Sequence, residues 1–231
     1  MAASRFRRIL FQQSLAAMSA WLWFALITVV VSVVAFIIWA IWPESIRFFA
    51  LRPSAILSGQ YLWTLVTHMF VHGGIFHLFV NVFVLFSLGS LCERLIGRKR
   101  FVWLYLLSGI AAGLLSVLLA GFFGNGLGER FFGNSNDLMV GASGAIFALA
   151  GVLMMLLPKL RFSIIFLPFF SFPAYVMVPL VLFATWLLSV AGGWNVGNVA
   201  HFGGFLVGAG YGYYLRLKYR RKVSILERHF R

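Results

Sequence analysis

Six apolar runs, each roughly 18 to 25 residues long and separated by short polar or basic stretches, govern what this chain can fold into. They lie at about 20–41, 75–92, 101–123, 139–157, 162–190 and 198–217. A stretch of that length covers the ~30 Å hydrocarbon layer as a helix, where every backbone N–H and C=O must be satisfied within the segment. With 62% hydrophobic and 10% charged residues, 26 Phe and 8 Trp among 231, the chain is too apolar for a soluble domain of its size. The expectation is an all-α membrane protein, one six-helix domain over 20–217, between a cytoplasmic segment 1–19 and a basic cytoplasmic tail 218–231.

The formal charge of +14 does not describe a nucleic-acid surface, because the basic residues stand in clusters between the apolar runs. Their distribution orients the bundle. Arg5, Arg7, Arg8, Arg94, Arg98, Lys99, Arg100, Lys159, Arg161, the five from Arg216 to Lys222, Arg228 and Arg231 fall on one side, 16 of the 19 cations. Arg47, Arg52 and Arg130 fall on the other. The positive-inside rule then puts both termini in the cytoplasm, and the plasma membrane is the expected location. Arg5, Arg7 and Arg8 before an apolar run resemble a secretory signal, but the run is too long and has no convincing cleavage site, so it reads as a retained first helix. An acid-free start also leaves an organellar transit peptide open. Cys92 is the only cysteine, so neither an intrachain disulfide nor a cysteine metal site is expected.

Between the first and second runs, 45–74 mixes Arg47, Arg52, Pro53 and several aromatics, which suits a half-buried structure in the interface. The fifth run carries Pro168, Pro173 and Pro179, which interrupt a helical ladder and mark it as the mobile one.

With this topology the second, fourth and sixth runs all enter from the outer side, so their first turns share one depth. His77 and Asn81 stand there on the second, Ser143 on the fourth and His201 on the sixth. An ionisable residue inside a span is a functional candidate. Ala200, Gly204, Gly208 and Gly212 form a small-residue stripe beside His201, and Ser143, Phe147, Ala150 and Gly151 share one face of the fourth run. A close crossing through Gly151, Gly204 and Gly208 would set Ser143 against His201, a base able to take its proton. His77 and Asn81, four apart on one face, are candidate donors to an oxyanion together with the Ser143 N–H, the alternative being an interhelical polar contact. His68 and His72 have the spacing of a metal pair, but Met69 stands where HExxH has glutamate, so no metal is expected and packing or capping is the alternative.

His77-Leu-Phe-Val-Asn81, Gly141-Ala-Ser143-Gly144 and Ala200-His201-Phe-Gly-Gly204 resemble, in order and placement, the three signatures of the rhomboid intramembrane serine proteases. The resemblance extends from about residue 20 to 222. It implies a six-helix rhomboid-like bundle with a water-filled cavity open to the outside, a cofactor-independent Ser143/His201 dyad without an acid, an oxyanion hole from His77, Asn81 and Ser143, and a mobile fifth helix beside the second. The partners it implies are transmembrane protein substrates within membrane lipid. The five acids, Glu44, Glu93, Glu129, Asp137 and Glu227, all lie near or outside the ends of the runs, in keeping with a dyad. Two positions depart from the commonest pattern. Trp63 is followed by Thr64 where many rhomboids have arginine, and Phe147 stands where tyrosine often stacks on the histidine. Two other readings stay open: a rhomboid-like protein that binds membrane helices without cutting them, and a transporter with a His/Asn/Ser proton relay. The absence of a convincing internal repeat disfavours the second.

Overall fold

The computed structural model describes residues 18–164, 167–191 and 197–229; Arg5, Arg7, Arg8, Arg231 and the rest of 1–17 lie outside them. Seven longer helices and one hairpin make up the frame. The helices are α1 Ala20–Ile41, α2 Ile75–Ile96, α3 Arg98–Phe123, α4 Ser143–Leu156, α5 Ala174–Val190, α6 Asn198–Lys218 and α7 Arg220–His229. The strands β1 Arg161–Ile164 and β2 Leu167–Pro173 pair antiparallel between α4 and α5. By length and composition α1, α2 and α3 can each cross a membrane; α4 and α5 are apolar but shorter.

The first turn of α1 has no side-chain cap of its own. The Glu93 carboxylate from the far end of α2 supplies one, accepting Ala20 N and Trp21 N at 2.9 Å each. An acid there satisfies two orphan donors and complements the helix dipole. α2 runs past the expected Cys92 to Ile96, with a π-helical turn at Leu85–Gly89. Gly97, at φ +85°, then reverses the chain, so α3 begins at Arg98 rather than Phe101.

The fifth run departs most from expectation. A helix over 162–190 is not formed: the hairpin occupies its first part, with Phe162 opposite Phe172 and Ser163 opposite Ser171. Pro168 and Pro173 lack the N–H a helix needs and hold the residues before them extended, while the Ile- and Phe-rich sequence suits strands. α5 therefore starts after Pro173 and keeps Pro179 inside it. The chain is mostly helical, not all-α.

α4 is the most enclosed helix, with Ala148, Leu149, Val152 and Leu153 fully buried between α3, α6 and α2. Ile37, Phe79, Phe86, Leu118, Phe183 and Leu206 are each about half exposed on the outside, a surface suited to hydrocarbon.

Candidate active site

Backbone contact sets the α4–α6 distance. A Cβ added at Gly204 would lie 1.9 Å from Gly144 O, one at Gly208 2.0 Å from Ala148 O, and one at Gly151 2.7 Å from Phe205 O. Only hydrogen fits at these three crossings, as in other small-residue helix interfaces. One turn above Gly204, in the first turn of α6, His201 reaches α4, and its Nε2 lies 2.8 Å from Ser143 Oγ. For the hydroxyl to donate to Nε2, the neutral ring must carry its proton on Nδ1. That Nδ1 is buried and has no hydrogen-bond partner among the described residues, so no acid stands behind the histidine.

α4 begins at Ser143 itself, not near Met139. The residues before it are pinned by the segment between α1 and α2. Leu51 and Met139 exchange two backbone bonds at 2.9 and 2.8 Å, and Gly141 N donates to His68 O at 2.8 Å. His72 Nδ1 lies 3.0 Å from Ser32 Oγ on α1, whose hydroxyl is also 3.0 Å from Phe70 O, while His72 Nε2 accepts Ala142 N at 3.5 Å. The backbone ahead of Ser143 is thereby tied to α1. His68 Nδ1 bonds Thr64 O at 2.7 Å, four residues back on its own short helical turn. The two histidines that suggested a metal pair thus have separate polar partners, and among the described residues no group of three His, Cys, Asp or Glu is placed to hold a metal.

Gly141 sits at φ +125°, and a Cβ there would come within 2.9 Å of His77 Cε1, so the His77 ring packs against the backbone two residues before Ser143. Asn81 is buried, and its Nδ2 gives one proton to His77 O at 2.9 Å, keeping the second. Both line the same cavity of about 1840 Å³ as Ser143 and His201. As the first residue of α4, Ser143 has a backbone N–H with no partner within the helix. Phe147, one turn on, faces His201 with ring centroids 4.5 Å apart and planes 30° apart. The cavity continues along α2 past Val80, Phe83 and Ser87 and along α5 past Met177, Val181 and Thr185.

Around Thr64 the structure is held without an arginine. Its buried hydroxyl donates to Tyr61 O at 2.7 Å, and Trp63 Nε1 donates to Phe48 O at 2.8 Å. The role of His72 was not visible in the sequence, because its partners lie on α1 and 70 residues downstream.

Residues 59–218 match the family described as Rhomboid domain. The chain belongs to the rhomboid family. It is 33% identical over 156 residues to RHOMBOID-like protein 5 of Arabidopsis thaliana, covering 68% of this chain and 45% of that protein. To the mouse (Mus musculus) presenilin-associated rhomboid-like protein, mitochondrial, it is 31% identical over 171 residues, 72% of this chain and 41% of that one. The chain spans less than half the length of these relatives. Its rhomboid domain and apolar helices make it an integral membrane protein.

Proposed function

We propose that this rhomboid is an intramembrane serine endopeptidase that cuts transmembrane segments of other membrane proteins. The 2.8 Å approach of His201 Nε2 to Ser143 Oγ, inside a cavity that family membership makes a membrane site, carries the reading. His201 takes the hydroxyl proton as Oγ attacks the scissile carbonyl; the same proton passes to the leaving amine, and water, with His201 again as base, releases the acyl group. The oxyanion is met by the Ser143 N–H, the His77 ring and the second Asn81 N–H, with Phe147 holding the His201 plane.

In this proposal α1 to α6 make six crossings, both termini are cytoplasmic, and the protein resides in the plasma membrane. The cluster of cations at the end of the bundle away from Ser143 supports that orientation.

The test is cleavage of a model single-pass substrate by purified protein in liposomes, with labelling by a serine-reactive fluorophosphonate. Wild type should cut and label, while Ser143→Ala and His201→Ala should do neither and keep the same unfolding midpoint. Equal cleavage by wild type and Ser143→Ala would remove the serine assignment. An inert wild type that still retains transmembrane peptides would favour helix binding without proteolysis.

A further inference from the structure

At the end of the bundle away from Ser143, three cations converge on one ring that the proposed chemistry does not use. Arg100, in the first turn of α3, donates to the Tyr219 hydroxyl at 2.9 Å and lies 5.4 Å from its ring centroid. Lys218, the last residue of α6, and Lys222, on α7, each place Nζ 5.9 Å from that centroid. Lys218 Nζ also donates to the Tyr214 hydroxyl at 2.8 Å, 5.3 Å from that ring's centroid.

Three like charges around one ring repel, and the ring quadrupole offsets only part of that. The nearby carboxylates are engaged elsewhere: Glu227 pairs with Arg216 at 2.7 Å, and Glu93 accepts Ala20 N and Trp21 N. The ion pairs Glu44–Arg47 and Glu227–Arg216 do not include Arg100, Lys218 or Lys222. Because arginine and lysine only donate, both phenol oxygens act as acceptors and keep their own O–H to give. The cluster is a set of charged N–H and neutral O–H donors with no paired carboxylate among the described residues.

A phosphodiester matches it, with one charge spread over two oxygens that accept several bonds. Two stripes lead from the cluster toward the apolar body: exposed Trp103 and Leu107, three and seven residues after Arg100 on α3, and Tyr214 and Val207, four and eleven before Lys218 on α6. A free phosphate has no use for them; acyl chains do. Headgroup phosphates also lie at the depth where apolar helices end in aromatic and basic residues.

We infer that Arg100, Lys218, Lys222, Tyr214 and Tyr219 form a binding site for the phosphate of one anionic phospholipid, its acyl chains lying along α3 and α6. The site is independent of proteolysis.

The test titrates phosphatidylglycerol, phosphatidylcholine or inorganic phosphate into the full chain in neutral detergent, following the unfolding midpoint and, by native mass spectrometry, retained lipid. Phosphatidylglycerol alone should raise the midpoint, with one lipid retained. The triple variant Arg100→Gln, Lys218→Gln, Lys222→Gln should bind it at least tenfold more weakly. A control with equal charge loss at the same end, Arg94→Gln, Lys99→Gln, Lys159→Gln, should stay within twofold of wild type. Should the triple variant not fold, Tyr214→Phe with Tyr219→Phe, which keeps every charge and ring, decides by an expected loss of about threefold or more. Equal losses in triple and control, no loss in the phenol variant, equal stabilisation by phosphatidylcholine, or an equal effect of inorganic phosphate would each overturn the site.

Discussion

His72 Nε2 accepts the backbone N–H of Ala142 at 3.5 Å, one residue ahead of the serine that faces His201. Its other nitrogen lies 3.0 Å from Ser32 Oγ, so one buried ring connects α1 to the start of α4. His72→Ala removes both bonds and lets the turn at Gly141 relax. A hydrogen bond of this kind is worth about 1 kcal/mol net, so cleavage should slow by roughly fivefold. The change should fall on kcat with KM held, and fluorophosphonate labelling of Ser143 should slow in parallel. Unchanged labelling would show that His72 serves stability alone.

Phe147 meets the His201 ring at 4.5 Å, and aromatic pairs contribute about 0.5–1.5 kcal/mol beyond burial. Phe147→Tyr keeps the ring and should stay within about threefold of wild type, whereas Phe147→Ala frees the imidazole and should cost about tenfold in kcat. Steady-state cleavage of one substrate by the three proteins checks it. Equal rates for Phe147→Ala and wild type would show that the ring does not hold His201.

How much of this arrangement was legible in advance follows from range. The small stripe through Gly204 and Gly208, and the shared depth of Ser143 and His201, rest on helical period and topology, both visible along one chain. The contacts that hold Ser143 in place join residues 70 or more apart, Leu51 with Met139 and His72 with Ala142, and no local pattern announces them. The hairpin at 161–173 was missed because hydropathy reads apolar length, and an apolar strand scores as a helix does. Pro168 and Pro173 are the available signal, since the residue before a proline avoids the helical region and the helix is delayed to Ala174.

Gly204 and Gly210 lie on the same helix and test the crossing against each other. A methyl at Gly204 would overlap Gly144 O at 1.9 Å, a backbone atom that cannot swing away, while one at Gly210 meets nothing within 4 Å. Gly204→Ala should destabilise by about 3 kcal/mol or more and lose cleavage as α6 is pushed off α4. Gly210→Ala should be neutral or stabilising by up to ~1 kcal/mol, since alanine is the better helix former. Unfolding midpoints in one detergent compare them; equal midpoints would contradict the close crossing.

Acid should unfold this protein through the segment between α1 and α2. Burial pushes His68 down to about 4, and burial together with the nearby His77 pushes His72 down to about 3, from an ordinary value of 6.5. Both are therefore neutral in the folded protein across the range in which the unfolded chain takes up protons. Their contribution to stability is fully present above pH 6.5. It falls as pH drops from 6.5 toward 4 for His68 and toward 3 for His72, because the unfolded state binds more protons throughout that window. His68 alone should remove on the order of 3 kcal/mol by the bottom of its window. Thermal unfolding from pH 7.5 to pH 4.5 should show a falling midpoint, and His68→Gln, less stable at pH 7.5, should show a shallower fall. A midpoint independent of pH between 6.5 and 4.5 would mean that neither histidine is held neutral by the fold.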